Sequence, residues 1–449
     1  MLKDAQDHAL SGATAEAVEH YDSAVVAYNQ AYGDAIGGFN AAIAAAPEFV
    51  MSRLAKGWLL SQSRDPLIVP MARDQLRAAT ALPMNEREQG HAAALSKAVE
   101  GARYTAVGLL DRHLMRFPFD TLAHQIALLS DLALGRSRWM RDRLGRAMPL
   151  WSKSMSGYAP MQTFHAFGLE ENGHYAWAEE LARTASETIP NSYFVHHTVT
   201  HVMEMTGRPE DGVGWMAARE PLWASASHPN RDHIWWHKAL YHLDLGQFDA
   251  ALGIYDGPFL ASEKALAISL THASALLWRL DTLGLDVASR WKALLKRWDG
   301  HADGRCLAFA DLHAMMAELR SGQEEAAEVR LATMRETADG SDEGALVYRD
   351  VGVPFAEGLI AFHRGDYRQA IEHMLPVRFN LWQVGGSHAQ RDVFDWTIVE
   401  AAVRSGVRDV AVSLANERLM LRPRSSINRR FGRNAEAIGA KNITSAPAE

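Results

Sequence analysis

GHYAWAEELARTASETIP, residues 173 to 190, opens on a glycine, passes through a polar and an aromatic residue, runs as a helix with alanines on one face, and stops at a proline. The same phrase recurs as GDAIGGFNAAIAAAP from Gly33, GARYTAVGLLDRHLMRFP from Gly101, GQFDAALGIYDGPF from Gly246 and GDYRQAIEHMLP from Gly365. Weaker copies start at Gly135, Gly207, Gly284, Gly322 and Gly406. From Gly101 onward the intervals are 34, 38, 34, 39, 38, 38, 43 and 41, and the 68 residues from Gly33 to Gly101 are twice 34. Each part has a physical reason. Glycine supplies the left-handed turn that ends a first helix. Alanines let a second helix lie close to its neighbours, and prolines such as Pro47, Pro118, Pro190 and Pro376 block its continuation.

A period of about 34 with paired helices resembles the tetratricopeptide repeat. No segment alternates with period 2, so the expected fold is all-α: an α-solenoid of about ten tetratricopeptide-like hairpins. Its irregular intervals are expected to let the array close around an internal pocket. Residues 1–423 read as one array, and 424–449, with Arg424, Arg429, Arg430 and Arg433, as a basic C-terminal tail, partly disordered.

Composition sets the outer limits. The chain has 449 residues, 48% hydrophobic and 22% charged, which excludes disorder throughout. A net charge of -8 and a pI near 6.2 lack the concentrated basic surface that phosphate binding needs, so no nucleic-acid partner is expected. The one cysteine, Cys306, permits no internal disulfide and points to a reducing compartment. MLKDAQDHAL carries no signal-peptide core, and no apolar run reaches the roughly 18 residues that span a bilayer. A cytoplasmic location with no membrane partner is expected, and homo-oligomerisation is left open.

The histidines are placed unevenly. HHTVTHVMEMTGR, residues 196 to 208, sets His197, His201 and Glu204 at i, i+4 and i+7, on one helical stripe. His233 and His237, in HIWWHKALYHLD, follow the first pair by 36 residues. Glu170 stands three residues before Gly173, as Glu204 does before Gly207. His165, His242, His272 and His313 also fall on first helices, with less clear facing. In tetratricopeptide folds the first helix lines the concave face, so the resemblance places both pairs inside the curve.

Three chemistries stay open there. A divalent metal such as zinc takes nitrogen and oxygen ligands at about 2 Å, here from His197, His201 and His237. Without a metal, His197, His201, Glu204, His233, His237 and His388 would act as general acids and bases. Otherwise the imidazoles only hydrogen-bond one another. Cys306 reads as a buried small hydrophobe, and Trp235, Trp236 and Trp278 as core.

LWQVGGSHAQRDVFDW, residues 381 to 396, breaks the repeat pattern. Ser387 and Gln390 have capping-box spacing, so a helix should start there. Its exposed amides, with Arg391 beside them and His388 and Asp392 flanking, form an expected seat for a carboxylate or phosphate. GGSHAQRDVF, HxxxHVMEMTGR and HIWWHKALYHLDLGQFDAALGIYD together resemble the tetratricopeptide repeat protein 38 family of bacteria and animals, over a stretch running from TAEAVEHYDSAV to the final hairpin. The resemblance implies a closed helical repeat with no defined reaction. It carries His201, Glu204, His233, Trp236, His237, Ser387, His388, Gln390, Arg391 and Asp392 as family-pattern positions. The resulting expectation is a pocket for a small polar or anionic molecule, hydrolytic or merely binding, with Glu170, Trp236, Ser387, Gln390, Arg391 and Asp392 as ligand contacts. The alternative is a scaffold that holds a peptide in its concave groove.

Overall fold

A computed structural model describes residues 1–225, 228–259, 266–301 and 307–439, so Cys306 and residues 440–449 of the expected tail lie outside it. Among the described residues every regular element is helical, apart from an isolated bridge between Lys3 and Ala9. All ten glycines of the recurring phrase adopt positive φ, from 65° at Gly135 and Gly207 to 97° at Gly33. The turn between Tyr158–Glu170 and Tyr175–Thr188 shows why. Gly173 N–H donates to Glu170 O at 2.9 Å and His174 N–H to Leu169 O at 3.0 Å, the pair of bonds that closes a Schellman turn. The corresponding pair closes the turns at Gly135, Gly207, Gly246, Gly284, Gly322 and Gly365.

One hairpin has no glycine at its turn. Val50–Gln62 and Val69–Thr80 occupy the double interval between Gly33 and Gly101. Arg64 takes the left-handed conformation there, with φ 56°, and Asp65 Oδ1 accepts from Leu67 N–H at 2.9 Å. An Asx turn thus does the work of glycine, which the glycine spacing could not reveal.

The chain groups into two compact units, Met1–Val202 with Arg219–Arg231 and Met203–Ala218 with Asp232–Glu449. Two of the three divisions fall inside the helices Tyr193–Met205 and Pro209–Trp223, and the third at the first residue of Arg231–Asp244. The first unit buries Tyr21, Phe39, Phe49, Leu54, Trp58, Leu95 and Ile126 in one core. In the second, Ala267–Thr282 packs on His388–Ser405. Trp278 Nε1–H donates to Thr397 Oγ1 at 2.9 Å and Trp396 Nε1–H to Thr282 Oγ1 at 2.9 Å, so each buried indole finds its partner on the facing helix.

The expected tail from 424 is structured over most of its described length. Ser426–Glu436 is a helix with Ile427, Phe431 and Ala435 buried at i, i+4 and i+8 and with Arg429 and Arg433 exposed. The charge count hid this amphipathic spacing.

Close helix approach has a measurable signature. A Cβ on Gly168, inside Tyr158–Glu170, would lie 2.9 Å from the backbone of Met140 and Arg141, whereas one on Gly284 would meet nothing within 4 Å. Gly284→Ala should cost about 1 kcal/mol of strain at its positive φ. Gly168→Ala should cost more in urea unfolding, although alanine is the better helix former. A stabilising Gly168→Ala would contradict the close contact.

Candidate functional site

In the second unit, Arg231–Asp244 carries His233 and His237 one turn apart, and both are buried. His237 Nδ1 lies 2.8 Å from Glu204 Oε2, and His237 Nε2 lies 3.1 Å from His233 Nε2. His233 Nδ1 lies 3.0 Å from His272 Nε2, and His272 Nε2 lies 2.9 Å from Gln390 Nε2. These contacts join a carboxylate, three imidazoles and an amide in one hydrogen-bonded chain.

The capping box sets the direction of that chain. Ser387 N–H donates to Gln390 Oε1 at 2.9 Å, and Gln390 N–H donates to Ser387 Oγ at 3.3 Å. With Oε1 so engaged, Gln390 presents its NH2 to His272, and the tautomers follow from the bonding pattern. His272 Nε2 must accept, which puts its proton on Nδ1. His233 Nδ1 must then donate, leaving His233 Nε2 to accept from His237 Nε2–H. His237 Nδ1 and Glu204 Oε2 are left sharing one further proton.

Two of the buried nitrogens that remain open in this unit belong to imidazoles near each other. His272 Nδ1 and His313 Nε2 are buried without a hydrogen-bond partner, while His313 Nδ1–H donates to Phe309 O at 2.7 Å. Burial, together with the nearby His313, pushes His272 to about 3. Burial likewise pushes His313 to about 3 against its bond to Phe309.

Beside Glu204 is a cavity of about 40 Å³, enough for one or two water molecules, lined by Arg279, Asp392, Trp396, Arg418 and Arg422. Asp392 accepts from Arg279 at 3.2 Å, pairs with Arg418 at 3.0 Å, and also accepts from Arg422. Burial alone would raise its carboxyl, but the three guanidiniums hold it well below the usual carboxylate range. Asp392 therefore clamps three arginines, Arg279 and Arg418 buried and Arg422 half-buried, instead of flanking an anion seat. The seat itself is filled by protein: Ser387 is wholly buried, Gln390 N–H is capped, and Arg391 Nη1–H donates to Gly386 O. His388 is half-buried, with Nδ1 3.5 Å from Arg391 Nη2, and Trp236 stacks on His233 with ring centroids 5.4 Å apart.

In the first unit, His201 Nδ1 lies 3.2 Å from Glu170 Oε2 and 3.7 Å from Glu171 Oε1, all three side chains being buried. The His197 ring stacks on Tyr193 and lies 4.2 Å from that of His201. Glu170, Glu171 and His201 each bring a donor atom within 4.8 Å of the others, and these residues could hold a divalent cation. The metal set expected from sequence, His197, His201 and His237, draws on both units. A second cluster, His91, His113 and Asp120, has its carboxylate filled: Arg87 Nε–H donates to Asp120 Oδ2 at 2.6 Å, where both imidazoles also converge.

Sequence reading missed Glu171, Arg279 and Arg418, and gave His272 and His313 no facing. The spacing to the turn glycine gave no consistent facing for these histidines. His197, His233, His272 and His313 lie 10, 13, 12 and 9 residues before their turn glycines, Gly207, Gly246, Gly284 and Gly322.

The chain is thus a tetratricopeptide-like helical repeat protein with buried imidazole–carboxylate networks. No family model matches it. A solved structure of the human IFIT1 dimer with m7Gppp-AAAA is similar at 12% identity and a TM-score of 0.44, over 95% of this chain and 95% of that one. A likeness at this level carries no argument about what this chain binds. That structure holds m7Gppp-AAAA, and the exclusion of nucleic acid that rested on net charge alone is withdrawn. Net charge sums a whole surface and does not rule out a local basic patch. No helix among the described residues is long and apolar enough to cross a membrane.

Burial fixes an acid response. His91, His124 and His196 are pushed to about 4, and His272 and His313 to about 3, from an ordinary 6.5, chiefly by burial. The unfolded chain therefore takes up these protons first as pH falls. Their contribution to stability is intact above pH 6.5 and is lost as pH falls from there toward 3, by up to about 1.4 kcal/mol per histidine per pH unit. Thermal melts should show Tm falling steeply between pH 6.5 and 4. A flat Tm over that range would show the imidazoles to be hydrated.

Proposed function

We propose that the protein is an acid–base catalyst, of the hydrolytic kind, acting on a small polar molecule from the second unit. The observation that carries this reading is the unbroken chain Glu204, His237, His233, His272 and Gln390. Burying four titratable groups in a helical core is destabilising unless their bonds are made, and a merely structural core would be filled more simply with leucine. Imidazoles in line can pass a proton by exchanging tautomers, so a proton taken up at Glu204 can be released near His272. His272 Nδ1 and His313 Nε2, a donor and an acceptor without partners, supply the contacts that a substrate group and a water molecule need.

In this reading Glu204 and His237 hold the mobile proton, His233 and His272 relay it, and Gln390 and Ser387 are positioning residues. The motifs quoted above further support membership of the tetratricopeptide repeat protein 38 family. Any metal at Glu170, Glu171 and His201 belongs to the first unit and is not required for the relay.

The test is a hydrolysis panel of p-nitrophenyl carboxylic esters, phosphate esters and anilides, run on wild type, His237→Gln, Glu204→Gln and the double variant. Each single variant should lose roughly 100-fold or more in kcat/KM. The double should lose no more than either single, because both break one relay. Wild-type turnover no faster than that of His237→Gln on every substrate would overturn the proposal.

A further inference from the structure

The first unit contains a second opening, of about 400 Å³, between the helix Ala15–Gln30, the segment 153–162 and the C-terminal end of Tyr175–Thr188. Its volume is that of a small-molecule pocket. Val25 and Pro160 contribute apolar surface, and two buried amides line it: Asn29, 3% exposed, and Gln162, 7% exposed. Asn29 Oδ1 has no hydrogen-bond partner, and the Gln162 side chain makes no hydrogen bond with the described residues. Leaving a buried polar group unsatisfied costs about 1–3 kcal/mol, so Asn29 Oδ1, beside the open Gln162 amide, marks a place where something outside the chain completes it.

We propose that this cavity binds a small molecule bearing a neutral carboxamide on an apolar body. An amide side chain offers a donor and an acceptor side by side, and a ligand carboxamide answers both. Val25 and Pro160 suit the apolar part. The charged lining residues are Asp22, Glu187 and Lys153, a net charge of −1 that disfavours a carboxylate in the same place. Asp22 is only half-buried and already accepts from Ala5 N–H at 3.2 Å. The inference stands apart from the relay, which lies in the other unit.

Two measurements test it on the full chain. Asn29→Leu and Gln162→Met replace each amide by an apolar side chain of similar size. If the Asn29 amide is held open for a ligand, Asn29→Leu should melt higher than wild type, since an unsatisfied group has been removed. Calorimetric titration with N-acetyl-leucinamide should show saturable binding to wild type, at least tenfold weaker binding of N-acetyl-leucine, and loss of binding in both variants. A lower Tm in Asn29→Leu would show that its amide is already satisfied and would overturn the proposal. Absence of saturable N-acetyl-leucinamide binding, or equal binding of the acid, would also overturn it.

Discussion

The bond from Ser387 N–H to Gln390 Oε1 decides more of this molecule than any other single contact. It caps the helix His388–Ser405, around which much of the second unit is packed, and it turns the Gln390 amide so that its NH2 faces His272. Each tautomer along His272, His233 and His237 follows from that orientation, ending in one proton shared with Glu204. The same helix supplies Asp392 to three arginines and Thr397 and Trp396 to the facing helix. A local capping rule thus propagates into the electrostatics of a buried site.

Burial gives these networks their character. In low dielectric an unpaired charge is costly, so carboxylates such as Asp392 and Asp120 appear only where guanidinium or imidazole groups converge on them. Histidines without a counter-charge instead stay neutral far below their ordinary range, as His272 and His313 do. A carboxylate partner does not by itself reverse this, since burial holds His91 at about 4 although Asp120 lies 2.9 Å from it.

Much of the fold was legible in the sequence because a left-handed turn selects glycine, and ten turns are marked that way. The hairpin at Arg64 was invisible because an Asx turn replaces glycine there. The pair His233 and His237 could be read from i, i+4 spacing, and Glu204 from its place before Gly207. His272 and His313 could not be oriented, since the offset to the turn glycine varies from 9 to 13 and each residue rotates a helix by about 100°. The GGSH segment shows the limit most clearly. Its capping box was plain, but whether the amides faced solvent depended on the burial of Ser387 by distant residues. Arg279 and Arg418, on other helices, and Arg422, just past the end of Arg408–Leu421, meet Asp392, and only packing brings them together.

The central claim is that one capping box dictates a single tautomer path through three imidazoles. Long-range 15N–1H correlation spectra of histidine-labelled protein at pH 7 read it directly. The account predicts Nδ1–H tautomers for His233 and His272, and a His237 whose Nε2 is protonated while Nδ1 shares a proton with Glu204. A His233 protonated on Nε2, or a His272 that titrates near 6.5, would contradict it.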